Sequence, residues 1–179
     1  IQMGEEDDRV FNLGCPSIDI ARKAYNSSEI TQEEFDNFKG IGYNIDINSP
    51  FIVLLYHAST YENDDSERVI KKILNTLHKL DTQVLVVWPN IDSGADQLSK
   101  QYRIFRESNL KTKFKFIKNI PSLDFLRVLI KSSTIIGNSS VAIRECSYLG
   151  VNAINIGTRQ SGRLKSNNVI SLDNSFDEN

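Results

Sequence analysis

The stretch that decides the fold runs Phe51-Ile52-Val53-Leu54-Leu55-Tyr56-His57, then Val69, Ile70, Ile73, Leu74, Leu77 and Leu80, then Gln83-Val84-Leu85-Val86-Val87-Trp88. Its two ends are continuous apolar runs without alternation, as in strands buried on both faces of a parallel sheet. Between them apolar residues recur three and four apart, the spacing of a helix with one buried face. Strand, helix, strand in that order is a βαβ unit, and parallel strands need such a crossover.

The alternation continues in both directions. Toward the C-terminus, Gly94–Glu107 predicts a helix. Lys113–Ile117 predicts a strand with Phe114 and Phe116 on one side and Lys113 and Lys115, in line with Lys111, on the other. Lysines so placed are expected to guard a sheet edge. Leu123–Lys131 predicts a helix and Thr134–Gly137 a strand. Val141–Leu149 predicts one helix closed by Gly150. Asn152–Ile156 and Asn168–Leu172 predict two further strands, and Asp173–Asn179 a polar tail. Toward the N-terminus, Arg9–Gly14 predicts a strand and Pro16–Tyr25 a helix with proline in its first turn. Thr31 and Glu34 form a capping box that opens a helix through Phe38. Gly40-Ile41-Gly42 and Asn48-Ser49-Pro50 read as chain breaks, which places the entrance of a domain there. The fold class is α/β, a Rossmann-like parallel sheet with helices on both faces.

Composition narrows the function. The chain has 179 residues, with 21 Lys and Arg against 23 Asp and Glu, a formal net charge of −2. That balance argues against nucleic acid as a partner, which needs a basic surface. The longest apolar run, Phe51–Tyr56, is far too short to cross a membrane. Cys15 and Cys146 match neither a metal spacing nor a disulfide framework, so no metal is expected. A reducing, cytoplasmic location follows. The chain opens at Ile1 without a signal-type segment and reads like the interior of a longer protein.

In a sheet of this kind ligands bind at the carboxyl ends of the strands. His57 leaves a strand for a loop, a place that serves ligand contact or a backbone-bonded structural histidine equally well. Asn90 and Asp92 follow Pro89, where a self-bonded turn is the commoner use of such residues. Gly137-Asn138-Ser139-Ser140 turns from strand to helix, and glycine, hydroxyls and helix N–H groups together suit a phosphate. Simple N-capping is the plainer use of such serines. Glu145 is expected a turn or more inside the helix that follows, either accepting a pair of hydroxyls or as an ordinary surface glutamate. Gly157-Thr158-Arg159-Gln160-Ser161-Gly162-Arg163 adds two arginines, and arginine grips phosphate through a planar fork. No phosphate-binding P-loop, full dinucleotide fingerprint or nucleophile elbow is present.

Gly14-Cys15-Pro16-Ser17-Ile18-Asp19, His57 at a strand end, Pro89-Asn90-Ile91-Asp92, Gly137-Asn138-Ser139-Ser140 and the Gly157–Arg163 loop occur in one order. Together, over the chain from Arg9 to about Val169, they resemble the hydrolysing UDP-N-acetylglucosamine 2-epimerases. Where that family usually has Pro-Val-Thr after the histidine, Ala58-Ser59-Thr60 stands here. The resemblance implies a GT-B-type enzyme of two Rossmann-like domains, of which this chain is the C-terminal half. Residues 1–48 would be the connecting segment with helices, 49–172 the UDP-binding domain and 173–179 the tail. Ser139 and Ser140 would bind the diphosphate and Glu145 the ribose hydroxyls. Ile120 would contact uracil through its backbone, and Asn90 would shape the nucleotide pocket. Arg159 would face the phosphates or the mouth of the site, Asp19 would lie near the domain junction, and His57 would stabilise charge on the departing UDP.

The implied reaction converts UDP-GlcNAc and water to N-acetylmannosamine and UDP by elimination and hydration, without a cofactor, in amino-sugar and sialic acid metabolism. The family's acidic catalytic residues belong to the N-terminal domain, absent here. The fragment alone is therefore expected to bind UDP and turn nothing over, and the full-length protein to form a homo-oligomer. Alternatives are a non-hydrolysing epimerase, a GT-B glycosyltransferase donor domain, a non-catalytic nucleotide-sugar-binding module, and a doubly wound domain with no nucleotide affinity.

Overall fold

The computed structural model describes residues 4–58, 66–89 and 94–176. Among them seven strands form one sheet: β1 (Gly40–Gly42), β2 (Phe51–Leu55), β3 (Gln83–Val87), β4 (Phe114–Ile117), β5 (Thr134–Gly137), β6 (Ala153–Ile156) and β7 (Val169–Leu172). The helices are α1 (Pro16–Tyr25), α2 (Gln32–Asp36), α3 (Ser66–Lys79), α4 (Ala95–Ser108), α5 (Ser122–Lys131), α6 (Ser140–Ile143) and α7 (Glu145–Leu149). The strands lie in the order β1-β4-β3-β2-β5-β6-β7, and every pair is parallel except β1 with β4. From β2 the chain builds outward one way through β3 and β4, then returns and builds the other way through β5, β6 and β7. The junction of β2 and β5 is therefore the topological switch point, where such sheets open a crevice for ligands.

Strand alternation splits the core in two. Phe51, Val53 and Leu55 face one side, packed with Ala21 and Ala24 of α1, Phe35 of α2, Leu126 and Leu129 of α5, and Ala142 and Cys146 of α6 and α7. Leu54 and Tyr56 face the other, packed with Val69, Ile70, Ile73, Leu74 and Leu77 of α3 and Leu98, Tyr102 and Phe105 of α4. The parallel α/β sheet covered on both faces is thus present as expected.

Four local expectations are corrected. Residues 10–15 form no strand, and the region holds only a short 3-10 turn at Asp7–Arg9. Gly40-Ile41-Gly42 is not a break but strand β1, pairing antiparallel with β4. Glycine permits the approach: at Gly42, with φ +112°, a Cβ would lie 2.2 Å from the Phe114 carbonyl oxygen. β4 therefore has neighbours on both sides, and Lys115 guards no edge. Its side chain is buried, with the ammonium 4.8 Å from the centre of the Phe35 ring and 3.9 Å from the Asp36 carboxylate. Finally, the helix expected over Val141–Leu149 is two short ones, broken at Arg144.

Arg127 on α5 ties the N-terminal segment to this body. Its guanidinium donates to the carbonyls of Ser28 and Glu29 and to the carboxylates of Glu34 and Asp124. Glu34 also closes the capping box on Thr31. The Thr31 backbone N–H, and then Arg127, hold the Glu34 carboxyl below its ordinary value of 4.5. A carboxyl with a depressed folded pKa contributes stability above its unfolded pKa and loses it as pH falls through the folded one. Glu34→Gln is expected to be less stable than wild type at neutral pH, with the gap closing below the ordinary value of 4.5. Urea denaturation across that range measures it, and a constant gap would contradict the assignment.

Candidate functional site

The switch point sets the site. At Gly137, the last residue of β5, φ is +149° and a Cβ would lie 1.8 Å from the Leu55 carbonyl oxygen. Only glycine fits so close an approach. The β2–β5 ladder ends at the pair Leu55 and Gly137. One residue further, the Asn138 side chain takes over. Its Oδ1 accepts from the His57 N–H at 2.8 Å, and its Nδ2 donates to the His57 carbonyl at 2.8 Å. The Asn138 carbonyl in turn accepts from Gln160 Nε2 at 2.8 Å and from Arg159 Nη1 at 3.3 Å. The ends of β2 and β5 and the loop after β6 are thus joined through one buried residue.

These strand ends open onto a cleft of about 460 Å³. His57 and Ser139 line it from β2 and β5, Val87 and Trp88 from β3, and Lys118, Asn119 and Ile120 from β4. Ser17 and Ile20 of α1, Phe125 and Leu126 of α5, and Arg144 and Glu145 complete the wall. Part of the lining is aromatic and aliphatic. The lining also carries an imidazole, three serine hydroxyls, two cations and a carboxylate, the mixture expected of a small-molecule site. A larger hollow of about 840 Å³ runs past Asp36, Lys39, Gly40 and Lys115. It lies at the antiparallel edge of the sheet, away from the carboxyl ends of the parallel strands, so volume is here a poorer guide than topology.

Ser139 is the N-cap of α6, accepting from the Val141 N–H at 3.5 Å. That helix is a single turn, so its dipole is weak compared with the continuous helix expected. Arg144 breaks the helix and donates to Ser140 Oγ at 3.1 Å. Glu145 then starts α7 rather than lying deep inside a helix, and it is only 6 % exposed. Its Oε1 stands 3.5 Å from Arg144 Nη2, while the buried Oε2 has no hydrogen-bond partner. Leaving such an oxygen unmatched is costly in a folded protein. It is not an ordinary surface glutamate but a buried acceptor in the wall of the cleft.

Of the residues singled out in the sequence, the structure brings His57, Ile120, Ser139 and Glu145 into this cleft. Ser140 lies beside it and is engaged by Arg144. Arg159 is exposed and joined to the cleft through the Asn138 carbonyl. Asp19 is exposed on α1, paired with Arg22 at 3.0 Å, while its neighbours Ser17 and Ile20 reach the cleft. Asn90 and Asp92 lie outside the described residues. Trp88, Lys118, Phe125 and Arg144 were not singled out. Trp88 and Lys118 follow strands and the strand-end rule could have found them. Phe125 passes in the sequence for helix core.

The family model for UDP-N-acetylglucosamine 2-epimerase matches residues 1–177. The chain belongs to that family. It is 27% identical to the UDP-N,N'-diacetylbacillosamine 2-epimerase (hydrolyzing) of Legionella pneumophila, over 99% of this chain and 44% of that protein. It is 26% identical to the UDP-N-acetylglucosamine 2-epimerase of Neisseria meningitidis, over 97% of this chain and 43% of that protein. The solved UDP-GlcNAc 2-epimerase of Methanocaldococcus jannaschii, in complex with UDP-GlcNAc and UDP, superposes with a TM-score of 0.62 at 16% identity, covering 97% of this chain and 46% of that one. The likeness to that structure establishes the fold, that of one half of a GT-B-type epimerase. The chain spans slightly less than half the length of these relatives.

Two further features of this epimerase-family chain are chemical. Among the described residues no cluster of three or more His, Cys, Asp or Glu is arranged to hold a metal ion, and no helix is long and apolar enough to cross a membrane. The two thiols differ sharply. Cys15, at the start of α1, is held below its ordinary pKa by the Ser17 hydroxyl and the backbone of Ile18 and Ser17. Cys146 is buried, and burial with the neighbouring Glu145 pushes its thiol up to about 12. Because the thiolate is the reactive form, iodoacetamide at neutral pH is expected to label Cys15 in the folded chain and Cys146 only after unfolding. Peptide mass spectrometry reads this directly, and early labelling of Cys146 would contradict the packing.

Proposed function

We propose that this chain is the nucleotide-binding, C-terminal half of a hydrolysing UDP-GlcNAc 2-epimerase. The observation that carries the reading is the unmatched Oε2 of buried Glu145 in a cleft shared with His57 and Ser139. A ribose offers two adjacent hydroxyl donors, which suit a carboxylate acceptor. Ser139, rather than Ser140, is the hydroxyl that meets the diphosphate, with Arg144 and Lys118 supplying positive charge. Ile120 contacts the uracil by its backbone, and Trp88 and Phe125 give the base an apolar wall. Arg159 approaches the phosphates from its loop, Asn90 shapes the pocket, and Asp19 faces the junction with the other domain.

The chemistry divides between two halves. A base removes the proton from sugar C2, the C1–O bond breaks, and its electron pair passes to the β-phosphate oxygen of UDP. A 2-acetamidoglucal results, and water adds across its double bond to give N-acetylmannosamine. This chain supplies the leaving-group half, in which preorganised charge meets charge that develops at the transition state. His57 serves there. The base belongs to the N-terminal domain that completes the cleft, so the isolated chain binds UDP without turnover. The full-length protein works as a cytoplasmic homo-oligomer without a cofactor. Relatives named as hydrolyzing enzymes favour hydrolysis over release of an intact UDP-sugar. Both are named for N,N'-diacetylbacillosamine, carried on UDP in one name and on GDP or UDP in the other, which makes the UDP-linked sugar the second candidate substrate.

Trp88 is the chain's single tryptophan and lines the cleft, so UDP is expected to change its fluorescence. In such titrations, Glu145→Gln is expected to weaken UDP by about 1–3 kcal/mol and to remove most of the preference for UDP over dUDP. An unaltered preference would reject the ribose role. In the full-length protein, supplied with either UDP-sugar, His57→Ala is expected to lower kcat much more than UDP affinity, with free sugar and UDP as the products measured. Equal losses would make His57 a binding residue only.

A further inference from the structure

The paired strands β2 and β5 part company just where the cleft begins. Their ladder stops at Leu55 and Gly137, yet His57 stands two residues beyond its end. Its N–H and C=O would there be left without ladder partners, and both are occupied by one carboxamide. The side chain of Asn138 presents one donor and one acceptor in the planar arrangement of a peptide group. It accepts from the His57 N–H at 2.8 Å and donates to the His57 carbonyl at 2.8 Å. Flipping the amide would set oxygen against oxygen and nitrogen against nitrogen, so its orientation is dictated. Asn138 is 2 % exposed and His57 7 %, so bulk water does not compete for these bonds.

We infer that Asn138 is the positioning residue for His57, and that through it the Arg159–Gln160 loop helps set where the imidazole stands. The inference rests on the role proposed above for His57. Gripping both backbone groups of one residue holds its peptide planes, and these fix the direction of its Cα–Cβ bond. Behind this clamp the Asn138 carbonyl is held by Gln160 Nε2 at 2.8 Å and Arg159 Nη1 at 3.3 Å. Gln160 is itself buried. The glycine-flanked loop after β6 is thereby coupled to His57 through Asn138.

The test compares wild type, Asn138→Ala and Gln160→Met by amide hydrogen exchange on the 179-residue chain and by kinetics on the full-length protein. The His57 N–H is expected to be protected in wild type and to lose that protection in Asn138→Ala, while the Val53 and Leu54 amides of β2 keep theirs. A displaced catalytic group costs roughly 100-fold in rate, so kcat is expected to fall by about that factor in Asn138→Ala, with UDP affinity changed less than about threefold. Gln160→Met is expected to lower kcat by a smaller factor, again at nearly constant affinity. An unprotected His57 amide in wild type, or one equally protected in Asn138→Ala, would overturn the clamp. A fall in kcat matched by equal losses of UDP affinity and thermal stability would also overturn it, as that marks a merely structural role. Should Asn138→Ala not fold, Gln160→Met decides: a lower kcat at constant affinity supports the coupling, and an unchanged kcat refutes it. If wild type binds no UDP, the proposed function fails, and the exchange experiment, which needs no ligand, still judges the clamp.

Discussion

The contact between β5 and β2 at Gly137 is the constraint on which the site depends. The backbones meet so closely that no side chain fits between them: a Cβ at Gly137 would lie 1.8 Å from the Leu55 carbonyl oxygen. That approach brings Asn138 within reach of His57 and aims Ser139 into the crevice. It occurs at the one place where the strand order reverses, so the helices after β2 and β5 lie on opposite faces and leave room between them. Chemistry and topology meet at the same two residues.

A second feature follows from how the chain leaves that point. A continuous helix from Ser140 to Leu149 would be the better local structure, since helices gain by length. The chain instead makes one turn, breaks at Arg144 and begins again at Glu145. The outcome is a carboxylate that is buried and only half engaged, beside a guanidinium that keeps one of its oxygens in place. A fold that gives up helix continuity and leaves an acceptor unmatched is consistent with a partner that arrives from outside the protein.

The architecture was largely legible in the sequence because its central strands are buried on both faces. Phe51–Leu55 is apolar throughout, β3 is apolar from Val84 to Val87, and α3 has a clean helical stripe. Elements that exist through distant partners were not legible. Gly40–Gly42 has no strand propensity of its own and pairs only because β4 offers an open edge. Arg9–Gly14 looks like a strand but pairs with no strand among the described residues. Lys115 looks like an edge guard until β1 covers that edge and the Phe35 ring receives its ammonium. In the site, the rule that ligands meet strand ends picked out His57 and Ser139 and would equally have found Trp88 and Lys118. Phe125 and Ser17 were beyond it, because they reach the cleft only once α1 packs on α5. The clamp was also hidden, since the sequence marks Asn138 as one letter of a turn and its partner His57 lies 81 residues away.

The central claim is that the crevice at the β2–β5 switch point is a uridine diphosphate site. Amide chemical-shift mapping of the isotopically labelled chain with UDP tests it most directly, because every part of the molecule reports at once. The account predicts saturable shifts clustered at His57, Ile120, Ser139 and Glu145, with the groove around Asp36 and Lys115 silent. Shifts confined to that groove, or no saturable shifts at any UDP concentration, would contradict it.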